Sequence, residues 1–497
     1  MPSINEQDDI DLISSPLVLP NGTTVPNRLV KVAMEEGIGF GGGLPTKRHE
    51  RLYKRWAEGG WGMIVTGNVH VDPQHLATPH CRSILDDTSQ TVSAYASLRQ
   101  SISSSSSLPT PICLVQLSHG GLQSSSTINM SRAPWVQAVA PCEARPNTGS
   151  SIWGWLLSRV IWPRKSRRLR YFDDWLEIVD MFIRGARIMH EAGWDGVQVH
   201  TAHGYLLAEY LSPLTNPDPI PLPGVPYQIP LRLHLLWLIL TGIHAATDHK
   251  FIKAIKINSS DFVQGGLDEV QAAQVIKEIV SWELVDILEI SGGSYSNPAF
   301  ASLDALHAPT RQSLFSHFTT SLIPHLAPPP KGPAILLTGG LHDRTLIASS
   351  LRDHACHLVG IGRPACVKPC LPHEIILNRD IPDCDSAIGG YTIPGGEAWK
   401  RFLGGGRSSS ASPVSTYTEV ETESSPLVAK HTQPAGVPLV GAGISTFWHE
   451  WQLSRISRGK EPWMDMGWGV GAVWEGVVWG VFKGFGVALW RDWRERV

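Results

Sequence analysis

One short stretch carries more chemistry than its neighbours: His200-Thr-Ala-His203-Gly-Tyr205. Two imidazoles and a phenol this close together can ligate a metal, hydrogen-bond a ligand, or sit satisfied in a core. A metal needs more ligands than two histidines, and the sequence shows no third one nearby, so no metal is expected. Lys256 lies inside the apolar run Ile252-Lys-Ala-Ile-Lys-Ile257. A buried ammonium requires a partner or a charge to neutralise, which marks Lys256 as functional. Gln116 sits near the end of another apolar run, Ile112–Leu117, and offers a carboxamide. Gly292-Gly293, Gly339-Gly340 and Gly362-Arg363 each follow a later run. Glycine lets backbone N–H groups approach an anion, and a guanidinium pairs with phosphate. One such glycine pair is common in turns. Their recurrence after successive runs carries more weight.

Something must bring these residues together. The apolar runs begin at Leu29, Gly62, Ile112, Gly196, Ile252, Asp286, Ala334 and His357. Each has the length of a buried strand, and amphipathic stretches such as Trp175–Ala192 and Leu267–Val280 lie between them. Eight strands alternating with helices predict an α/β fold, a parallel (β/α)8 TIM barrel. A doubly wound open sheet competes with it, but the first run leads into Met34-Glu35-Glu36-Gly37 rather than a glycine fingerprint. In a barrel, chemistry gathers at the C-terminal strand ends. Here those ends include Ala33-Met34, Thr66-Gly67-Asn68, Gln116-Leu-Ser-His119, His200, Lys256 to Asn258 and the glycine steps.

These residues resemble the Old Yellow Enzyme family of FMN-dependent ene-reductases. The similarity runs through Glu191-Ala-Gly-Trp-Asp-Gly-Val-Gln-Val-His-Thr-Ala-His-Gly-Tyr-Leu-Leu-Ala-Glu-Tyr-Leu-Ser-Pro-Leu-Thr-Asn216. Asn27–Met34, Gln116–Gly121, Ile255–Asn258, Glu289–Gly293, Leu337–Gly340 and Val359–Pro364 follow the same order. The resemblance implies FMN as cofactor and NAD(P)H as reductant, with reduction of the C=C bond of α,β-unsaturated carbonyl compounds. It implies that His200 and His203 hold the substrate oxygen and that Tyr205 donates a proton. Gln116 and Lys256 would contact the flavin pyrimidine, Ala33 and Met34 would pass the isoalloxazine, and Gly340, Gly362 and Arg363 would cradle the phosphate. A dienoyl-CoA reductase reading lacks the cysteine run that an iron–sulfur cluster needs.

Two positions depart from the family pattern. Glu35 stands where relatives often carry a small residue beside the flavin, and its carboxylate would either lower the flavin potential or point to solvent. Residues 217–230 hold six prolines, and no helix crosses such a run. The segment reads as a divergent loop or, the favoured explanation, as a gene-model error. It puts closure of the barrel around the fourth strand in doubt, and it leaves Leu233–Ile243 expected as an exposed apolar surface. A catalytically impaired barrel that binds a ligand or partner is the alternative function.

Composition bounds the rest. The chain has 497 residues, with 42 basic and 45 acidic side chains. A nucleic-acid partner is not expected without a basic excess. The seven scattered cysteines suit a reducing, cytoplasmic compartment, and the acidic N-terminus carries no secretory pattern. The barrel is expected over residues 1–400 and a Ser/Gly/Pro-rich linker over 401–440. An aromatic helical tail is expected over 441–497. Eight of the 19 tryptophans fall between Trp448 and Trp493. Residues 467–490 are read as docking on the barrel or on a partner subunit, with peripheral membrane contact or a true membrane span as the alternatives.

Overall fold

The computed structural model describes residues 4–467, apart from 87, 105–108, 130, 147–151, 294–308, 390, 392 and 396–437. The expected linker up to 437 and the tail beyond 467 therefore lie outside the described residues.

Eight parallel strands close into a barrel: β1 (Leu29–Lys31), β2 (Met63–His70), β3 (Ile112–Ser118), β4 (Gly196–Thr201), β5 (Ile252–Asn258), β6 (Ile287–Ser291), β7 (Ala334–Thr338) and β8 (Leu358–Ile361). Closure is made where Val359 of β8 pairs with Leu29 of β1 and Val30 of β1 pairs with Met63 of β2. The helices that return the chain are α1 (Lys47–Ala57), α2 (Thr88–Ser103), α3 (Phe172–Glu191), α4 (His234–Ala246), α5 (Glu269–Ser281), α6 (Pro309–Leu322), α7 (Arg344–Arg352) and α8 (Arg363–Val367). The expected (β/α)8 barrel is thus the fold. The strands read as apolar runs because both their faces are buried.

Local chemistry starts and stops the helices. Thr46 caps α1, accepting the Arg48 N–H, while the His49 ring accepts the Thr46 N–H. Asp268 caps α5 with the same reciprocal pairing, through Gln271, and Asp343 caps α7 by accepting the Leu346 N–H. Along α3, Trp175, Ile178, Val179, Phe182, Ala186 and Met189 recur at helical spacing and are buried against the strands.

Alternation along each strand sorts the side chains into layers. Val30, Met63, Leu114, Ile252, Ala254, Ile287, Ala334, Leu336 and Leu358 fill the lower barrel interior. The ribbon formed by Leu17–Val18 and Thr24–Val25 closes this end with Leu19 and Val25. Above that plug the same inward faces become polar, with Gln116, Gln198, Lys256, Glu289 and Thr338 and then His200, Asn258 and Ser291. Register explains the match: Lys256 lies opposite both His200 and Glu289.

The expectation for residues 217–243 is corrected. The barrel closes normally around β4, which pairs with β3 and β5. Leu233, Leu235, Leu236, Ile239, Leu240 and Ile243 are buried in the main core rather than exposed. The proline-rich segment anchors on α4. Its Leu222 N–H donates to His234 Nδ1 at 3.0 Å, and His234 Nε2 reaches the Ile229 carbonyl oxygen at 3.0 Å. Prolines cannot supply helix donors, so a folded imidazole serves the free backbone groups instead.

Among the described residues no helix is long and apolar enough to cross a membrane. The tail enters as a helix, Pro438–Ile456, that packs on α8 and α1. Arg48 donates to Ser457 Oγ at 3.1 Å and to Ser454 Oγ at 2.8 Å, and Arg51 donates to the Ser457 carbonyl at 2.8 Å. Trp448 is fully buried beside Val367, Ile393 and Met466.

Candidate active site

The polar middle layer is one connected network. Gln116 Nε2 donates to Gln198 Oε1 at 2.7 Å, and Gln198 Nε2 donates to Glu289 Oε2 at 2.8 Å. Glu289 Oε1 accepts from Lys256 Nζ at 2.8 Å and from Thr338 Oγ1 at 2.9 Å. The partner that the buried Lys256 required is therefore Glu289, completely buried on the neighbouring strand. One ammonium proton is committed to it, and two remain for a ligand.

The upper layer gathers His200, His203 and Tyr205. Their rings are close, with centroids 5.3 Å apart for His200 and His203 and 4.5 Å for His200 and Tyr205. His203 adopts φ 60°, a left-handed conformation uncommon for a side-chain-bearing residue. This kink turns the chain after β4, and its N–H meets Asn258 Oδ1 at 3.3 Å while its Nε2 lies 2.8 Å from Ser291 Oγ.

Asn68 ties this layer together. Its Nδ2 donates to the Tyr205 hydroxyl oxygen at 3.2 Å and to Glu35 Oε2 at 3.3 Å, and its Oδ1 lies 3.1 Å from His200 Nδ1. A register shift between β2 and β3, at Val65 to Asn68, aims the side chain inward. Thr66 Oγ1 fills the irregularity by accepting the Gln116 N–H at 3.1 Å. Gly67 is required there, since a Cβ would stand 2.4 Å from the Met34 carbonyl oxygen. Burial, then the Lys256 ammonium and His70, push the His200 imidazole well below its ordinary value, so it is neutral. With Nδ1–H donating to Asn68, its buried Nε2 has no hydrogen-bond partner among the described residues.

Beneath Glu35 lies a second buried ion pair, Glu36 Oε1 with Arg82 Nη2 at 2.6 Å. Burial acts to raise the Glu36 carboxyl, but Arg82 overrides it and holds the group below the usual range. Tyr53 also donates to Glu36.

At the β8 rim, Gly362 opens α8 and Arg363 is its first residue. Gly340 has φ 79°, a conformation that favours glycine, and lies just past β7. Met34 closes one side, as a Cβ on Gly362 would meet its Sδ at 3.0 Å. Ala33 and Met34 are half-buried at the end of β1. The tail helix reaches this end too. His449 Nδ1 donates to the Ser445 carbonyl at 2.6 Å, so its Nε2 accepts the Tyr391 hydroxyl at 2.7 Å, and both residues face Arg363.

Asp72, His75 and His119 also cluster, with Asp72 Oδ2 at 2.5 Å from His75 Nδ1 and 3.6 Å from His119 Nε2. His119 Nδ1 accepts the Gly121 N–H at 3.1 Å, which places its proton on Nε2 toward Asp72. That tautomer offers a hydrogen bond, not a metal lone pair.

The structure thus brings His200, His203 and Tyr205 together over Lys256 and Gln116, and puts Ala33, Met34, Gly340, Gly362 and Arg363 along the β1, β7 and β8 ends. Sequence reasoning missed the roles of Asn68, Gln198, Glu289 and Ser291. The inward alternation along β4 and β6 would have found Gln198 and Glu289.

A closed parallel barrel carries a buried polar network under one rim and glycines with an arginine at its β7–β8 edge, an arrangement that suits a phosphate-bearing cofactor. Residues 13–381 match the NADH:flavin oxidoreductase / NADH oxidase family, and the chain belongs to it. It is 32% identical over 386 residues to the NADH-dependent flavin oxidoreductase iliE of Hypocrea jecorina, covering 76% of this chain and 91% of that protein. It is 29% identical over 382 residues to iccE of Talaromyces variabilis, with 75% and 88% covered. In fold it resembles the Old Yellow Enzyme homologue of Zymomonas mobilis, with TM-score 0.55 at 20% identity over 72% of this chain and 91% of that one. Morphinone reductase in complex with tetrahydroNAD gives TM-score 0.53 at 15% identity over 71% and 87%. The protein is therefore an oxidoreductase that uses FMN with a nicotinamide reductant. The tail helix lies beyond the family match.

The residues present fit that cofactor. Gln116 and Lys256 present amide and ammonium donors of the kind a pyrimidine edge takes, and the glycines past β7 and β8 with the Arg363 guanidinium are groups of the kind that suit a phosphate.

Proposed function

We propose that the protein is an ene-reductase, reducing the C=C bond of α,β-unsaturated carbonyl compounds. The observation that carries this reading is the Asn68 hub, which holds an imidazole and a phenol side by side above the Lys256 layer. FMN, when bound and reduced by NAD(P)H, would supply the hydride for the β-carbon. Lys256 and Gln116 would hold its pyrimidine edge, Ala33 and Met34 would line the ring, and Gly340, Gly362 and Arg363 would take the phosphate. The Lys256 ammonium offsets the negative charge that reduction adds. His200 and His203 face the substrate carbonyl oxygen, and a ring N–H turned toward it stabilises the enolate charge that develops there. Tyr205 then gives its proton to the α-carbon.

Stopped-flow half-reactions test the assignment. Tyr205→Phe should slow oxidation of the reduced enzyme by 2-cyclohexenone by about 10²-fold, the usual worth of a general acid. It should leave reduction by NADPH within about twofold. Equal losses in both half-reactions would remove Tyr205 from the proton-donor role.

A further inference from the structure

We propose that Glu35 is a positioning residue that acts through Asn68 to decide which nitrogen of His200 carries the proton, and hence whether His200 can donate to a substrate oxygen. The consequence for catalysis rests on the ene-reductase reading; the proton placement itself does not.

The argument starts from what an amide can do. A carboxamide has one accepting end and one donating end, and a half-turn exchanges them within nearly the same outline. Asn68 makes three contacts, to Glu35, Tyr205 and His200. An ionised Glu35 only accepts, so it holds the Asn68 NH2 toward itself and toward Tyr205. The Asn68 oxygen then faces His200 Nδ1 and demands a proton there. His200 is neutral, so its Nε2 keeps a lone pair. That lone pair repels a carbonyl oxygen instead of polarising it.

A protonated Glu35 reverses each step. Its O–H donates to the Asn68 oxygen, the NH2 turns to His200, and Nδ1 becomes the acceptor. The single imidazole proton then sits on Nε2, the buried nitrogen that otherwise has no partner. His200 becomes a donor without gaining charge.

Glu35 is placed to change state near neutrality. It is half-buried, with its Oε1 enclosed. Burial, reinforced by Glu36, raises its carboxyl to about 7, against the opposing Arg82 and the hydrogen bonds of Asn68 and Cys81. On the other side the tail helix brings in Glu450, whose buried side chain packs on Gly37 and which burial, Glu35 and Glu36 keep protonated well above the carboxylate range. The charged and titratable groups facing His200 are Lys256 and His70, with His203 and Tyr205 in ring contact. Burial pushes His70 down to about 3, so it stays neutral across the same range. Since the Glu35 carboxyl is raised, the donor form of His200 prevails below about 7 and is lost above it.

The test is nitrogen NMR of full-length protein labelled at histidine, with the His200 signals assigned by their absence in His200→Asn. In the wild type the His200 tautomer should change from Nε2–H to Nδ1–H with a midpoint near 7. In Glu35→Gln, whose amide has no proton to lose, it should not change between about pH 5.5 and 8.5. Asn68→Ala cuts the same link and serves if Glu35→Gln fails to fold. A single wild-type tautomer throughout, or an unchanged midpoint in both variants, overturns the proposal. With FMN bound, oxidation of the reduced enzyme by 2-cyclohexenone should be about tenfold slower one unit above the midpoint, and flat in Glu35→Gln. A tautomer change without any cyclohexenone reduction would refute the ene-reductase reading and leave the Glu35 link standing.

Discussion

Replacing Glu289 by glutamine isolates the network under the active site. The substitution keeps shape but removes the anion that Lys256 Nζ meets 2.8 Å away. At that separation and an effective dielectric of about 20, the Coulomb attraction is about 6 kcal/mol. Wild-type Glu289 also costs desolvation, which the variant no longer incurs. Breaking a buried pair by deleting one partner costs about 3–5 kcal/mol in other proteins, because the remaining charge stays buried. The introduced amide must further turn its NH2 to Gln198, which forces the Gln198 and Gln116 amides to turn as well. We expect a loss of about 3–4 kcal/mol, read from urea unfolding of the flavin-free protein at unchanged slope. Lys256→Met combined with Glu289→Gln removes the orphan charge and should recover more than about 1 kcal/mol relative to the sum of the single losses. A single loss below about 1 kcal/mol, or strict additivity in the pair, would show that the ion pair does not organise the barrel interior.

Two further substitutions probe how the rest of the molecule supports the site. Leu240→Ala removes a fully buried side chain on α4 and should cost about 2–5 kcal/mol in the same unfolding assay; a near-neutral result would mean that the segment after the prolines is not seated on the core. Arg48→Ala deletes the Arg48 hydrogen bonds to Ser454 and Ser457 and leaves that of Arg51 to the Ser457 carbonyl. It should raise amide exchange across residues 445–457 at least several-fold and leave β4 and β5 protected; unchanged exchange in the tail would show that the Arg48 contacts do not hold it.

The strands and their order were legible because a parallel barrel buries both faces of each strand, which leaves compact apolar runs between amphipathic helices. The docking of the Pro438–Ile456 helix on α1 and α8 was not legible in the sequence. The reading of Leu233–Ile243 as exposed failed for a definite reason. It assumed that a proline-rich loop could not return the chain to the core, whereas His234 accepts and donates for that loop and lets α4 pack.

The sequence by itself determined the inventory: His200, His203, Tyr205, Lys256 and Gln116 on strand ends, with glycines and Arg363 at the last two. Residue type and local period decide such things, since both act over a few positions along the chain. Tertiary structure alone decided the partners. Asn68 meets Tyr205 across 137 positions and His200 across 132, and Gln198 meets Glu289 across 91. Those contacts exist only once strand register and the irregularity at Thr66 and Gly67 aim the side chains into one enclosed layer. Burial there turns weak polar contacts into ones that set proton positions, because water is no longer available to satisfy either end.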